Sequence, residues 1–129
     1  MVLRGLEVPG TRDRRRLDPV AGCLVGSRCA DCSMTSWPRR AVCQRCGAAP
    51  MDEAAFAPTG KLLSFTTVWV ARPGLEPPYT LAQVKLDEDG PAVFAHVRSL
   101  PSDARVDLPV RTVIAEEPSA VPPYWFEPL

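Results

Sequence analysis

Beyond Gly60 the chain alternates apolar and polar side chains in short runs separated by proline and glycine. In GKLLSFTTVWVA, rich in β-branched and aromatic residues, Leu63, Phe65 and Val68 are interleaved with Ser64, Thr66 and Thr67, which predicts a long strand. RPGLEPP breaks that run with a turn or loop. YTLAQVKL and AVFAHVRS alternate again on either side of DEDGP, and the three together predict a hairpin with a tight turn. DLPVRTVIAEEP supplies another strand around residues 110–115, and VPPYWFEPL a short aromatic closing segment. Five short strands with no helical period predict a small closed barrel, a mainly β fold.

The first half of the chain lacks this pattern, and its composition differs. Nine Lys/Arg against four acids give residues 1–50 a balance of +5, whereas six against eleven give residues 51–129 a balance of −5. The whole chain is neutral, which offers no electrostatic case for a nucleic-acid partner. The split instead predicts modules with different surfaces, the first suited to an anionic partner. Fifteen prolines spread along 129 residues argue against long helices. Residues 1–22 form an N-terminal arm in which Arg12 and Arg14, Arg15 and Arg16 decorate a short helix or stay solvated. MVLRGLEVPG holds no apolar run of signal-peptide length and no stretch is long enough to span a membrane, so the cytoplasm is the expected location.

Residues 23–50 hold all five cysteines and are too short to build a core of their own, so they need a staple; residues 51–129 form the barrel. Cys29-x2-Cys32 and Cys43-x2-Cys46 are separated by ten residues. Each Cys-x-x-Cys turn presents two thiolates on one side of a knuckle, and two facing knuckles complete a sulfur tetrahedron around one cation. Gly47 suits the positive φ that follows such a knuckle, and Ser33 holds the matching place in the first. Zinc is the first expectation, with rubredoxin-like iron the rival; a redox dithiol would need one pair only and a strand–helix setting. Cys23, among small apolar neighbours, reads as a buried structural cysteine.

Little in the chain suits catalysis. His96, the lone histidine, sits in a predicted strand, where a half-buried structural role outweighs general-base chemistry. Asp87 to Gly90 resembles the start of a calcium loop without its closing acid, and a hairpin turn accounts for it. No phosphate loop or nucleophile elbow is present, and no catalytic residue is assigned. Arg28, Arg39, Arg40 and Arg45 crowd the cysteine module, where they either offset the charge of a metal–thiolate centre or attract an acidic partner or phosphate groups. Among the aromatics, Trp37, Trp69, Tyr124 and Phe126 read mainly as core, with Trp125 the better candidate for a partner anchor.

With GSRCADC, WPRRAVCQRCG, the run from GKLLSFTTV to YTLAQVKLDEDG, VDLPVRTV and the ending YWFEP, the chain resembles the acyl-CoA-associated zinc-ribbon/OB-fold family. It departs from the family pattern at Ser33 and Asp107, where glycine is common. The resemblance implies a rubredoxin-like ribbon joined to a five-strand OB barrel, with Cys29, Cys32, Cys43 and Cys46 as ligands of one structural zinc. It also implies a non-catalytic accessory subunit in a hetero-oligomer with a thiolase-like enzyme (thiolase, acyltransferase or steroid side-chain aldol lyase) or a hotdog-fold enoyl-CoA hydratase. On this reading Arg28, Arg39, Arg40, Arg45 and Trp125 contact the partner or the phosphates of its CoA substrate. The alternative is a zinc-ribbon/OB protein that binds single-stranded nucleic acid, which would need basic grooves interleaved with aromatics on the barrel.

Overall fold

The computed structural model describes residues 16–117 and 119–129, so most of the expected N-terminal arm lies outside the described residues. Every regular element among these residues is a strand. None of them forms a helix long and apolar enough to cross a membrane.

The cysteine module is organised by β2 (Cys23–Arg28), which pairs antiparallel with β1 (Leu17–Asp18), β3 (Thr35–Ser36) and β4 (Asp52–Ala55). β4 thus continues the module's sheet past residue 50. Gly26 lets these pieces close up, since a Cβ there would stand 2.2 Å from the Ser36 carbonyl oxygen and 2.9 Å from the Phe56 ring. β2 is buried along nearly its whole length, and Cys23 is indeed an interior residue.

Five strands make the closed barrel: β5 (Thr59–Val68), β6 (Tyr79–Leu86), β7 (Ala92–Val97), β8 (Pro109–Ile114) and β9 (Tyr124–Pro128), in the order β5-β6-β7-β9-β8. All contacts are antiparallel except β7 on β9, where Val97 meets Phe126. Alternate residues of β6 and β7 point inward, so that Ala82, Val84 and Leu86 face Val93, Ala95 and Val97 around the fully buried Phe126. Leu24 and Phe56 lie in this same cluster, and such burial contributes about 1.5–3 kcal/mol per side chain. The base of the cysteine module therefore shares the barrel's core.

The β6–β7 turn has Glu88 at φ 60° and Asp89 at φ 62°, with the Asp87 carboxylate accepting the Thr59 hydroxyl at 2.7 Å. Positive φ at both central residues gives the hairpin turn that the DEDG run predicts. Asp107 likewise adopts φ 74°, a conformation open to aspartate as well as glycine.

β5 forms the long strand that its composition predicts, with one irregularity. Leu62 is fully buried, but a bulge between Leu62 and Ser64 shifts the register, and residues 63–67 are all exposed. The extra residue reverses the phase of the strand, so that Phe65, opposite the buried Ala82, shares its face, while Leu63 and Phe65 both remain partly exposed.

Candidate metal centre and its basic rim

The two knuckles fold alike. After β2, the Ser33 amide donates to the Cys29 carbonyl at 3.0 Å and the Cys29 amide to the Met34 carbonyl at 2.8 Å. In the second, Gly47 donates to the Cys43 carbonyl at 3.0 Å and Cys43 to the Ala48 carbonyl at 2.9 Å. Each turn closes on a residue of positive φ, Ser33 at 67° and Gly47 at 81°. A serine thus performs in the first knuckle what glycine does in the second.

These turns bring the sulfurs of Cys29, Cys32, Cys43 and Cys46 within 4.8 Å of one another. Cys29 Sγ lies 3.6 Å from Cys46 Sγ and Cys32 Sγ 3.5 Å from Cys43 Sγ, so both close approaches join one knuckle to the other. A tetrahedron with metal–sulfur bonds of about 2.3 Å has edges of about 3.8 Å, which this cluster fits. The amides of Arg45 and Cys46 also point at Cys43 Sγ, at 3.3 and 3.4 Å, as donors that favour a thiolate.

Four sulfurs this close cannot all ionise without a cation. Arg45, then the Met34 backbone, pulls the Cys32 thiol down to about 6. The Cys46 amide leads the causes that lower Cys43. Cys46 is instead pushed up to about 12: the Ala48 amide favours its thiolate, but Cys29, desolvation and the other two sulfurs outweigh it. One divalent ion removes the conflict, and four thiolates with no nitrogen or oxygen donor make a closed site suited to holding structure. Cys23 stands outside the cluster, its thiol raised by burial and by Asp18.

The four arginines divide. The Arg45 guanidinium donates to the Cys32 carbonyl at 2.9 Å, bracing one knuckle on the other. Arg39 forms an ion pair with Glu53 at 3.4 Å. The Arg40 amide donates to the Ser27 hydroxyl at 2.9 Å, leaving its side chain at the surface. Arg28, Arg45 and Lys85 line a cleft of about 370 Å³ with Asp89 on its rim. Arg40 and Lys85 line an adjoining cleft of about 470 Å³ that also holds Trp37 and Gln44. Lys85, a barrel residue that sequence reasoning did not single out, is thus common to both. Only its place opposite Lys61 and Ala92, on the outward face of β6, marks it.

Trp125 lines neither cleft; it stacks under Arg98 at 3.9 Å and donates to Glu127 at 2.9 Å. Trp37 packs edge-on against Tyr124 at 5.3 Å. Trp69 is the surprise, 72% exposed just beyond β5. His96 is half-buried and stacked on Tyr79 at 5.2 Å, and burial, then Arg98, disfavours its charged form.

Comparison with known proteins agrees with this architecture. Residues 21–52 match the ChsH2 rubredoxin-like zinc ribbon domain, and residues 53–115 match the ChsH2 C-terminal OB-fold domain. A DUF35 domain-containing scaffold protein of Pyrococcus furiosus is 32% identical over 93 residues, spanning 70% of this chain and 67% of that protein. The chain belongs to the DUF35 family. The benzoylsuccinyl-CoA thiolase subunit BbsA of Thauera aromatica is 27% identical over 91 residues, spanning 70% of this chain and 62% of that protein. A solved structure, the Ltp2-ChsH2(DUF35) aldolase, superposes with a TM-score of 0.67 at 28% identity, covering 85% of this chain and 90% of that one.

Proposed function

We propose that this chain is a non-catalytic accessory subunit that binds and organises a thiolase-like enzyme acting on acyl-CoA substrates. The observation that carries this is the unbroken match of residues 21–115 to the ribbon and barrel of ChsH2, in the same order. Relatives named as a scaffold protein and as a thiolase subunit support it, as does the likeness to an aldolase containing a DUF35 component. A hotdog-fold enoyl-CoA hydratase is the other partner of this kind. Cys29, Cys32, Cys43 and Cys46 hold one zinc ion, which supplies no chemistry beyond fixing the two knuckles. The basic clefts suit a supporting role: they offer Arg28, Arg40, Arg45 and Lys85 to an acidic patch or to the phosphates of CoA. His96, half-buried against Tyr79, suits a packing role.

The test is gentle purification of the tagged chain from its own cells, with mass spectrometry of what elutes in stoichiometric amount. A thiolase-like or hotdog-fold enzyme is expected, with one zinc per chain by elemental analysis. A chain that elutes alone contradicts the subunit reading, and a coloured, iron-loaded chain contradicts zinc.

A further inference from the structure

Where the ribbon meets the barrel, the two clefts share one cation. The larger, about 470 Å³, draws Ser36, Trp37 and Arg40 from the ribbon and Lys85 and Pro91 from the β6–β7 hairpin. The smaller, about 370 Å³, brings Arg28 and Arg45 to the same Lys85. Asp89 is the only carboxylate among the described residues that line either cleft. None of the four cations forms an ion pair with a described residue, unlike Arg39, Lys61 and Arg111. They fall into two groups, Arg40 in one cleft and Arg28 with Arg45 in the other, joined at Lys85.

Ser36 points to a ligand independently. It stands opposite Ser27 in register, so both side chains lie on one face of the sheet. The Ser27 hydroxyl is satisfied by the Arg40 backbone: it accepts from the amide at 2.9 Å and donates to the carbonyl at 3.1 Å. Ser36 is only 6% exposed, yet its hydroxyl has no hydrogen-bond partner among the described residues. A buried hydroxyl is costly without a partner, and an acceptor oxygen held beside Arg40 removes that cost.

We propose that this seam binds a nucleotide carrying phosphate at two positions. One phosphate lies with Arg40 and Lys85 and accepts from Ser36; the other lies with Arg28 and Arg45, whose guanidinium forks match phosphate oxygens. Trp37, Pro38 and Pro91 give the larger cleft an apolar wall for the base, and its size is that of a small-molecule site. An acidic patch of a protein is the poorer occupant, because it leaves that wall and the Ser36 hydroxyl unused. Such a nucleotide occurs free and as the end of CoA remote from the acyl group. Where CoA is the source, the inference rests on the accessory-subunit reading and says which part of the enzyme's substrate this chain holds.

The test is calorimetric titration of the full zinc-loaded chain with adenosine 3′,5′-bisphosphate, AMP, CoA and dephospho-CoA. The bisphosphate is expected to bind about tenfold more tightly than AMP, and CoA about tenfold more tightly than dephospho-CoA, which lacks the second phosphate position. Lys85→Gln should weaken the bisphosphate about tenfold and Ser36→Ala about threefold, the latter with no loss of melting temperature. Arg111→Gln, which removes a cation already paired with Glu127, should change neither. CoA bound as tightly as the bisphosphate, or more so, makes CoA the source; CoA bound more weakly makes it a free nucleotide. Equal binding of all four probes, or affinity unchanged in both Lys85→Gln and Ser36→Ala, overturns the site. If no probe binds while Lys85→Gln weakens the complex with the co-purified enzyme, an acidic patch is the occupant; the site is overturned and the subunit reading stands. Nucleotide binding by a chain that elutes without an enzyme overturns the subunit reading and leaves the site.

Discussion

The barrel and the cysteine knuckles are stabilised by different means. Around Phe126 the barrel closes Leu62, Val84, Leu86 and Val110 with no exposed surface to speak of. At the knuckles only Met51 joins Cys29 and Cys43 as a buried side chain, with Cys32, Met34 and Ala48 partly covered. Hydrophobic burial is thus ample in one region and slight in the other, and the sulfur cluster stands where the second core is missing. The division does not follow the sequence boundary between modules, because Leu24 and Phe56 place the base of the ribbon in the barrel's core. Only the tip lacks an apolar core of its own.

Removing the metal is the most severe way to break this contrast. Structural zinc in small ribbons contributes about 10–16 kcal/mol of apparent binding energy at neutral pH, and the tip has no comparable apolar reserve. Chelation, or Cys43→Ser, is expected to abolish amide protection in residues 29–51 while β6 and β7 keep theirs. Melting of the barrel in step would show that the tip is not a separate unit. Because the ligands must be deprotonated, metal affinity should fall as pH is lowered.

Attacking the shared core should have the opposite reach. Phe126→Ala is expected to cost about 3–5 kcal/mol in urea denaturation. The loss should appear in β2 as well as in the barrel, since Leu24 packs in the same cluster. Gly26→Ala probes the joint itself. Its Cβ would press on the Ser36 carbonyl and the Phe56 ring, at an expected cost of about 1–3 kcal/mol in thermal melts, with the metal still bound.

The smallest effect sharpens the barrel side. Tyr124 is buried and its hydroxyl donates to the Phe94 carbonyl at 3.3 Å, so Tyr124→Phe should cost about 0.5–1.5 kcal/mol. Burial pushes the Tyr124 phenol up to about 12. A raised value means that the folded chain holds this proton more tightly than the unfolded chain. The associated stability is therefore complete below the ordinary tyrosine range, near about 10, and is lost as pH rises toward the folded value. Alkaline melts of the wild type should fall through that window more steeply than those of the variant.

Sequence reasoning reached the elements whose physics is local. Cysteine spacing pointed to the knuckles, and two alternating runs around DEDG gave β6, β7 and their turn. It missed the bulge at Leu62/Ser64, which is invisible in the pattern yet reverses the phase of the strand beyond it. It also read Trp69 mainly as core, whereas that side chain stands exposed just beyond β5. Short β1, β3 and β4 escaped because strands of two to four residues carry no periodicity to read. The pairing of Lys85 with the ribbon's arginines arises only when two modules meet.

Acyl-CoA turnover by the isolated zinc-loaded chain, by its co-purified enzyme, and by the two recombined tests the subunit reading most directly. The account predicts no turnover by the chain alone, and turnover by the recombined pair above that of the enzyme alone. Turnover by the isolated chain would contradict it.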